Sequence, residues 1–214
     1  MAKLRTADEF TAYITSDLTW RIREISDIRS VAGSAVQTLS RVILRASVPL
    51  MYAHWEGHVS VVSRAYMDFL ALRRMRYSSL KGCFRLNAFF STIRRMMQTR
   101  LSHTEQITFL MNVISSGESQ LRGVDEDVLA TRANLNSAVL RDLCCFLALD
   151  IAQFEDDLDF LDKILLYRRN NIAHGQFIEI NISMLHDMSD RVIEMMRKFN
   201  NLVDNEVSLQ GYRA

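Results

Sequence analysis

The stretch Leu185-His186-Asp187-Met188-Ser189-Asp190-Arg191-Val192-Ile193-Glu194-Met195-Met196-Arg197-Lys198-Phe199-Asn200-Asn201-Leu202 places apolar residues at 185, 188, 192, 195, 199 and 202. Alternating steps of three and four draw one apolar stripe down an α-helix and leave the other faces polar. Upstream, Ile151, Phe154, Leu158, Leu161 and Leu165 follow the same spacing. Such seams must be covered, so they predict helix-on-helix packing, either inside one bundle or between subunits.

Working outward, the rest of the chain also reads as helix. Thr6 and Glu9 have capping-box spacing, so a first helix starts near Thr6 or Ala7. Phe10, Ile14, Leu18, Ile25 and Ile28 mark its buried face, and Gly33 is a plausible stop. A long second helix runs roughly from Val36 to Arg76. Pro49 lies inside it and should kink it, because proline lacks an amide donor and clashes with the preceding turn. Tyr52, Trp55 and Val59 share one face of that helix and belong in the core. Residues 78–100 read as a shorter helix, followed by helices over about 103–115 and 136–149. Ser115-Ser116-Gly117 and Gly123-Val124-Asp125-Glu126-Asp127 read as loops. One proline and seven glycines in 214 residues leave little punctuation, which suits an all-α chain. Length and the lack of a linker suit a single domain over 1–214.

Composition narrows the class. The chain is 49% hydrophobic and 24% charged, ordinary for a water-soluble globular protein. Cys83, Cys144 and Cys145 form no C-x-x-C pair, which points away from disulfide frameworks and zinc and towards a reducing cytoplasm. The N-terminus has no apolar h-region, and no run of about 18 apolar residues suggests a membrane span. Net charge is only +1, but it is unevenly spread. Between Asp68 and Glu105 there is no acid, while Arg73, Arg74, Arg76, Lys81, Arg85, Arg94, Arg95 and Arg100 are all basic. The segment reads equally as an RNA-binding face, with Arg73, Arg74, Arg76, Arg94 and Arg95 as candidates, or as a solvated face paired with acids elsewhere.

Chemistry concentrates in Tyr167-Arg168-Arg169-Asn170-Asn171-Ile172-Ala173-His174-Gly175. Arginine offers phosphate a planar fork of donors, and histidine titrates near neutral pH. Gly175 suits a helix C-cap. Five residues at about 100° each set Arg169 and His174 roughly 140° apart on a helix. A helix break or a second copy of the chain is then needed to unite them. By spacing alone the string reads as an ordinary helix end rather than a site, because Arg and His there favour the dipole.

The string Arg169-Asn170-Asn171-Ile172-Ala173-His174 resembles the Arg-polar-x-x-x-His signature of the HEPN superfamily of all-helical ribonuclease domains. Leu50-Met51-Tyr52-Ala53-His54-Trp55-Glu56-Gly57 looks like a second signature, that of the MAE-like prokaryotic branch. Asp17-Leu18-Thr19-Trp20-Arg21 and the closing helix are also similar to it, whereas about 77–130 is the least recognisable part. The resemblance implies an all-α HEPN-like bundle with a long kinked second helix. It implies a metal-independent endoribonuclease that leaves 2′,3′-cyclic phosphate and 5′-hydroxyl ends, with no cofactor. His174 would be general acid or base, Arg169 would stabilise the phosphorane-like transition state, and Asn170 would fix the phosphate or orient the histidine. It also implies a homodimer acting on RNA as a toxin or antiviral effector, with a cognate antitoxin or regulatory protein as a further partner. The alternative is a non-catalytic RNA- or protein-binding module, or a partner-regulated subunit.

Other residues are weighed around this core. Arg168 is a second candidate phosphate contact, or the salt-bridge partner of an acid. Tyr52, His54 and Glu56 are candidate supports of the cleft. His54 and His58 have the i, i+4 spacing of a metal pair, but no third ligand is evident, so no metal is expected. Asp150, Glu155, Asp156, Asp157, Asp159 and Asp162 suit a solvent-facing helix start better than a two-metal site. Some HEPN toxins carry a modifiable tyrosine two residues after the motif histidine. Here that position is Gln176, followed by Phe177, which argues against silencing by adenylylation of such a tyrosine.

Overall fold

The computed structural model describes residues 4–34, 36–98, 102–121 and 134–214. The architecture is all-α: among the described residues the only β pairing is two isolated bridges, Arg76 with Gln120 and Leu80 with Arg213.

Helix α1 spans Ala7–Ser34 and begins at the expected cap. Thr6 Oγ1 accepts from the Glu9 amide at 3.1 Å, and Glu9 Oε2 accepts from the Thr6 amide at 3.0 Å. Phe10, Ile14 and Ile25 are buried, but the face also buries Arg21. Helix α2 spans Gln37–Leu72, with Pro49 inside it. The closing helix, α8, spans Ile182–Ser208, and its Asn181 cap accepts from the Met184 amide at 2.8 Å. These three long helices pack pairwise on one another. The α8 seam residues Leu185, Met188, Val192, Met195, Phe199 and Leu202 are all buried within this one chain. The seam therefore serves the bundle itself.

Aromatic rings fill the centre. Trp55 on α2 meets Phe154 and Phe199 with centroids 6.2 and 6.3 Å apart, and Phe154 meets Phe199 at 6.3 Å. All three are fully buried, and each contributes on the order of 2–3 kcal/mol of transfer free energy. Tyr52 and Val59 are buried on the same helix, as the shared face predicts.

The segment read as one helix over 78–100 is broken. A 3₁₀ turn, Tyr77–Ser79, precedes α3 (Gly82–Asn87) and α4 (Phe90–Gln98). No glycine or proline marks the break at Ala88-Phe89. Tertiary contacts account for it: Phe89 packs edge-on against Phe109, and Asn87 Nδ2 donates to the Phe146 carbonyl at 2.6 Å. Helix α5 spans His103–Ser115 behind a Ser102/Glu105 capping box. A 3₁₀ turn over Ser116–Glu118 lies where a loop was expected, and the expected loop 123–127 lies outside the described residues. Helix α6, Ser137–Leu147, is capped by Asn136 and ends on left-handed Ala148.

Helix α7 positions the site. It starts at Glu155–Phe160, widens into a π segment over Leu161–Leu166, and resumes as α-helix over Tyr167–Ala173. A π turn holds about one residue more than an α turn, so the resumed helix is rotated by roughly 100° relative to an unbroken one. The motif begins directly after this change of phase.

The acidic cluster of this helix is not wholly solvent-facing. Asp157 is buried, 2.8 Å from both Arg191 Nε and Lys198 Nζ of α8. Asp162 accepts from the Ser137 amide at 2.8 Å and so caps α6. Glu155 forms a two-pronged exposed pair with Arg141.

Candidate functional site

The two carboxamides and the aromatic ring around Arg169 come from three separate segments. Arg169 Nη1 donates to Asn134 Oδ1 at 2.6 Å, ahead of α6, and to Asn170 Oδ1 at 2.7 Å, its chain neighbour. Its guanidinium carbon lies 4.5 Å from the centroid of Tyr52 on α2, a cation–π arrangement. Tyr52 is fixed in turn: its hydroxyl accepts from the Leu135 amide at 2.5 Å and donates to Glu56 Oε1 at 3.3 Å. Burial, and then the Glu56 carboxylate, push this phenol far above its ordinary range, so it stays protonated. The ring expected in the core is thus also the floor under the motif arginine.

His174 stands at the other side of the helix end. Its backbone amide still reaches the Asn170 carbonyl at 3.0 Å, so the helical phase persists to this residue. Gly175 then turns the chain with φ +76°. Its amide donates to the Ile172 carbonyl at 3.0 Å, and the Gln176 amide donates to the Asn171 carbonyl at 2.9 Å. That pair of bonds is a Schellman cap, which satisfies carbonyls the helix end leaves open. The His174 side chain is exposed and makes no hydrogen bond among the described residues. Arg169 therefore turns inward onto Tyr52, while His174 faces solvent on a different side of the same helix.

Arg168 takes a separate direction. Its Nη1 lies 3.2 Å from Met188 Sδ on α8, and it lines a shallow hollow with Phe160, Ile164, Asp187 and Arg191.

His54 joins another network, between α1 and α2. Its Nε2 lies 3.1 Å from Glu24 Oε2, and its ring meets Trp20 edge-on with centroids 5.5 Å apart. Burial outweighs the Glu24 attraction and holds this imidazole below its usual range, favouring the neutral form. One turn on, His58 Nδ1 is 2.8 Å from Asp17 Oδ2. Asp17 is also gripped by Arg21, at 2.8 Å through Nε and 3.1 Å through Nη2. Burial alone would raise the Asp17 carboxyl, but hydrogen bonds from His58 and Arg21 hold it below the ordinary carboxylate range. The second signature therefore splits. Tyr52 and Glu56 serve the Arg169 side of α2, and His54 and His58 serve the α1 side. Among the described residues no group of three or more His, Cys, Asp or Glu side chains is placed to hold a metal ion.

The basic segment lies elsewhere. About 30 Å of helix separates Tyr52 from the end of α2, where Arg73, Arg74 and Arg76 follow. Arg76 pairs with Glu118 at 2.8 Å. Arg73 covers the Phe69 ring and donates to the Tyr212 hydroxyl at 3.2 Å. Arg94 covers Phe90, and Arg95 lines the groove between α4 and α5. Arg100 lies outside the described residues.

Family comparison adds to this geometry. A family model described as MAE_28990-like HEPN matches residues 10–212. The chain belongs to the MAE-like HEPN family. No curated protein and no solved structure matches it significantly. Membership places this HEPN protein among nuclease and RNA-binding modules with an all-α bundle. Among the described residues, no helix is long and apolar enough to cross a membrane.

Two residues that contact the motif of this HEPN protein carry no sign of it in their local sequence pattern or only a faint one. Asn134 contacts Arg169 from 35 positions away, and nothing in its local pattern signals that. Arg45 Nη2 donates to the Gln176 carbonyl at 2.9 Å, bracing the turn after His174. A cation inside the apolar run Val42-Ile43-Leu44-Arg45-Ala46 is the signal that could have drawn attention to it.

Proposed function

We propose that this protein is a metal-independent endoribonuclease whose active site is completed by a second copy of the chain. The observation that carries this reading is the way Arg169 is held. Among the described residues, both of its hydrogen-bond partners are neutral carboxamides, and it also lies over an aromatic ring. Arg21 gives the contrast: it is buried and matched by a carboxylate, as a structural arginine is. Among the described residues Arg169 is oriented without an ion-pair partner, which leaves its charge for a phosphate.

In this reading one His174 removes the ribose 2′-hydroxyl proton, and the resulting oxygen attacks phosphorus. The bond from phosphorus to the 5′-oxygen breaks, and that oxygen takes up a proton. The products are a 2′,3′-cyclic phosphate and a 5′-hydroxyl. Arg169 stabilises the charge gathered on the phosphorane-like transition state, and Asn170 and Asn134 hold its guanidinium in place. Proton removal and proton delivery occur at opposite sides of phosphorus, yet each chain offers one such imidazole. The partner's copy of the motif supplies the other. Supporting a second copy, α2 exposes an apolar stripe beside the site: Leu39 at 52%, Val42 at 62% and Leu50 at 45%, with Ala46 and Ala53 on the same line. A cytoplasmic toxin or antiviral effector, restrained by a cognate antitoxin or regulatory protein, is the setting that fits such an activity.

The test is cleavage of single-stranded RNA by the full chain in excess EDTA, with the product ends identified. His174→Ala should lower the rate at least about 100-fold, the usual worth of a general acid–base group, without changing the thermal transition. Equal cleavage by the variant, or strict dependence on a divalent ion, overturns the mechanism. RNA binding without cleavage by the wild type assigns the chain to the non-catalytic binding modules instead.

A further inference from the structure

The turn that leaves the motif ends on an aromatic ring held in the open. Phe177 is 78% exposed, three residues after His174. Single exposed apolar residues are common and by themselves say nothing. This one is braced from two directions. The Schellman cap at Gly175 fixes the path of the chain into Gln176. From α2, Arg45 holds the Gln176 carbonyl and sets its guanidinium carbon 5.4 Å from the Phe177 centroid. One side of the ring therefore rests on a cation that reaches it from a different helix. The hydrogen-bond acceptor of that cation is a neutral carbonyl, so its charge is not cancelled there.

We propose that Phe177, backed by Arg45, is a stacking platform for a base of single-stranded RNA beside the phosphate handled by Arg169 and His174. The proposal rests on the ribonuclease reading and adds a substrate subsite to it. A flat apolar ring with one open face accepts any base, because every base has a π face. The arginine contributes twice, by polarising the ring and by attracting the nucleic-acid backbone. Its placement next to His174 suits a role in seating the nucleotide adjoining the scissile bond. Such a platform needs an unpaired base, so the substrate class is single-stranded or looped RNA.

Full-length wild type, Phe177→Ala, Phe177→Leu and Phe177→Trp should be compared on a short single-stranded RNA of mixed sequence. Phe177→Ala and Phe177→Leu are expected to raise KM about tenfold, the worth of one base stack, with a smaller effect on kcat. Phe177→Trp should keep KM near wild type. In a His174→Ala background, Phe177→Trp should add tryptophan emission that RNA quenches beyond the quenching seen in His174→Ala alone. Sedimentation of each variant supplies the second measurement. Wild-type cleavage with unchanged KM in Phe177→Ala and Phe177→Leu overturns the platform and leaves the ribonuclease reading standing. A loss of activity in Phe177→Ala that tracks a fall in sedimenting mass also overturns it, assigning the ring to a contact between copies. A wild type that neither binds nor cuts RNA overturns the ribonuclease reading and the platform together.

Discussion

Two buried or half-buried arginines show how the same side chain is put to different ends. Arg21 lies against Asp17 and beneath Gly57, where its length is accommodated only because position 57 has no side chain. A Cβ built there would meet Arg21 Nη1 at 2.7 Å. Two effects of Gly57→Ala oppose each other. Alanine favours the helix by about 1 kcal/mol. Forcing a buried arginine off its carboxylate costs about 3–5 kcal/mol when the pair is broken outright. The clash should win, with a net loss of up to about 2–4 kcal/mol in urea unfolding. A gain in stability would mean that Arg21 swings aside freely. Among the described residues Arg169 has no comparable carboxylate clamp, and substitution of its carboxamide partners bears on orientation more than on charge balance.

At the scale of elements, the caps were legible and the interruptions were not. Thr6 with Glu9, and Gly175 after the motif, are local signals, because a cap is satisfied by residues a few positions away. The π segment Leu161–Leu166 has no such signature. Leu158, Leu161 and Leu165 keep three-and-four spacing straight through its start, and only the packed structure reveals the change of phase. The break between α3 and α4 was equally hidden, since it comes from contacts to Phe109 and Phe146. At the motif's own cap, Gly175→Ala would force a φ of +76° on alanine in open space, with nothing within 4 Å of the added carbon. The cost is then backbone strain alone, about 1 kcal/mol, read as a lowered thermal midpoint. Under the proposed ribonuclease activity the same substitution should also impair RNA cleavage, because the turn carries both His174 and Phe177. An unchanged midpoint would show that the left-handed turn is not maintained in solution.

At the scale of the whole molecule, titratable groups buried between helices make stability depend on pH. His54 faces Glu24 and Trp20 across α1, with Arg21 and Asp17 nearby, and its folded pKa is depressed chiefly by burial. The unfolded imidazole titrates near its ordinary value of about 6.5, so the unfolded state takes up protons first as pH falls. The stability tied to His54 is therefore complete above about pH 6.5 and is lost on acidification towards the folded pKa. Asp17, also depressed, works in the same direction but only below about pH 4. Urea midpoints should fall between pH 7 and pH 5.5, and His54→Gln should flatten that slope. A midpoint that rises towards pH 5.5 would contradict a neutral buried His54.

By itself the sequence determined the all-α class, the seams and the motif residues, because helix periodicity, caps and a short motif string are properties of neighbouring positions. It also marked Tyr52 and His54 as belonging to one signature, without telling their roles apart. Only the tertiary structure decided that α2 presents Tyr52 to Arg169 and His54 to α1, since successive residues on a helix face different neighbours. It alone brought Asn134 and Arg45 to the motif from 35 and 131 positions away. It also turned Arg169 inward while leaving His174 exposed. Contacts of that range depend on how the helices pack, and no local spacing records them.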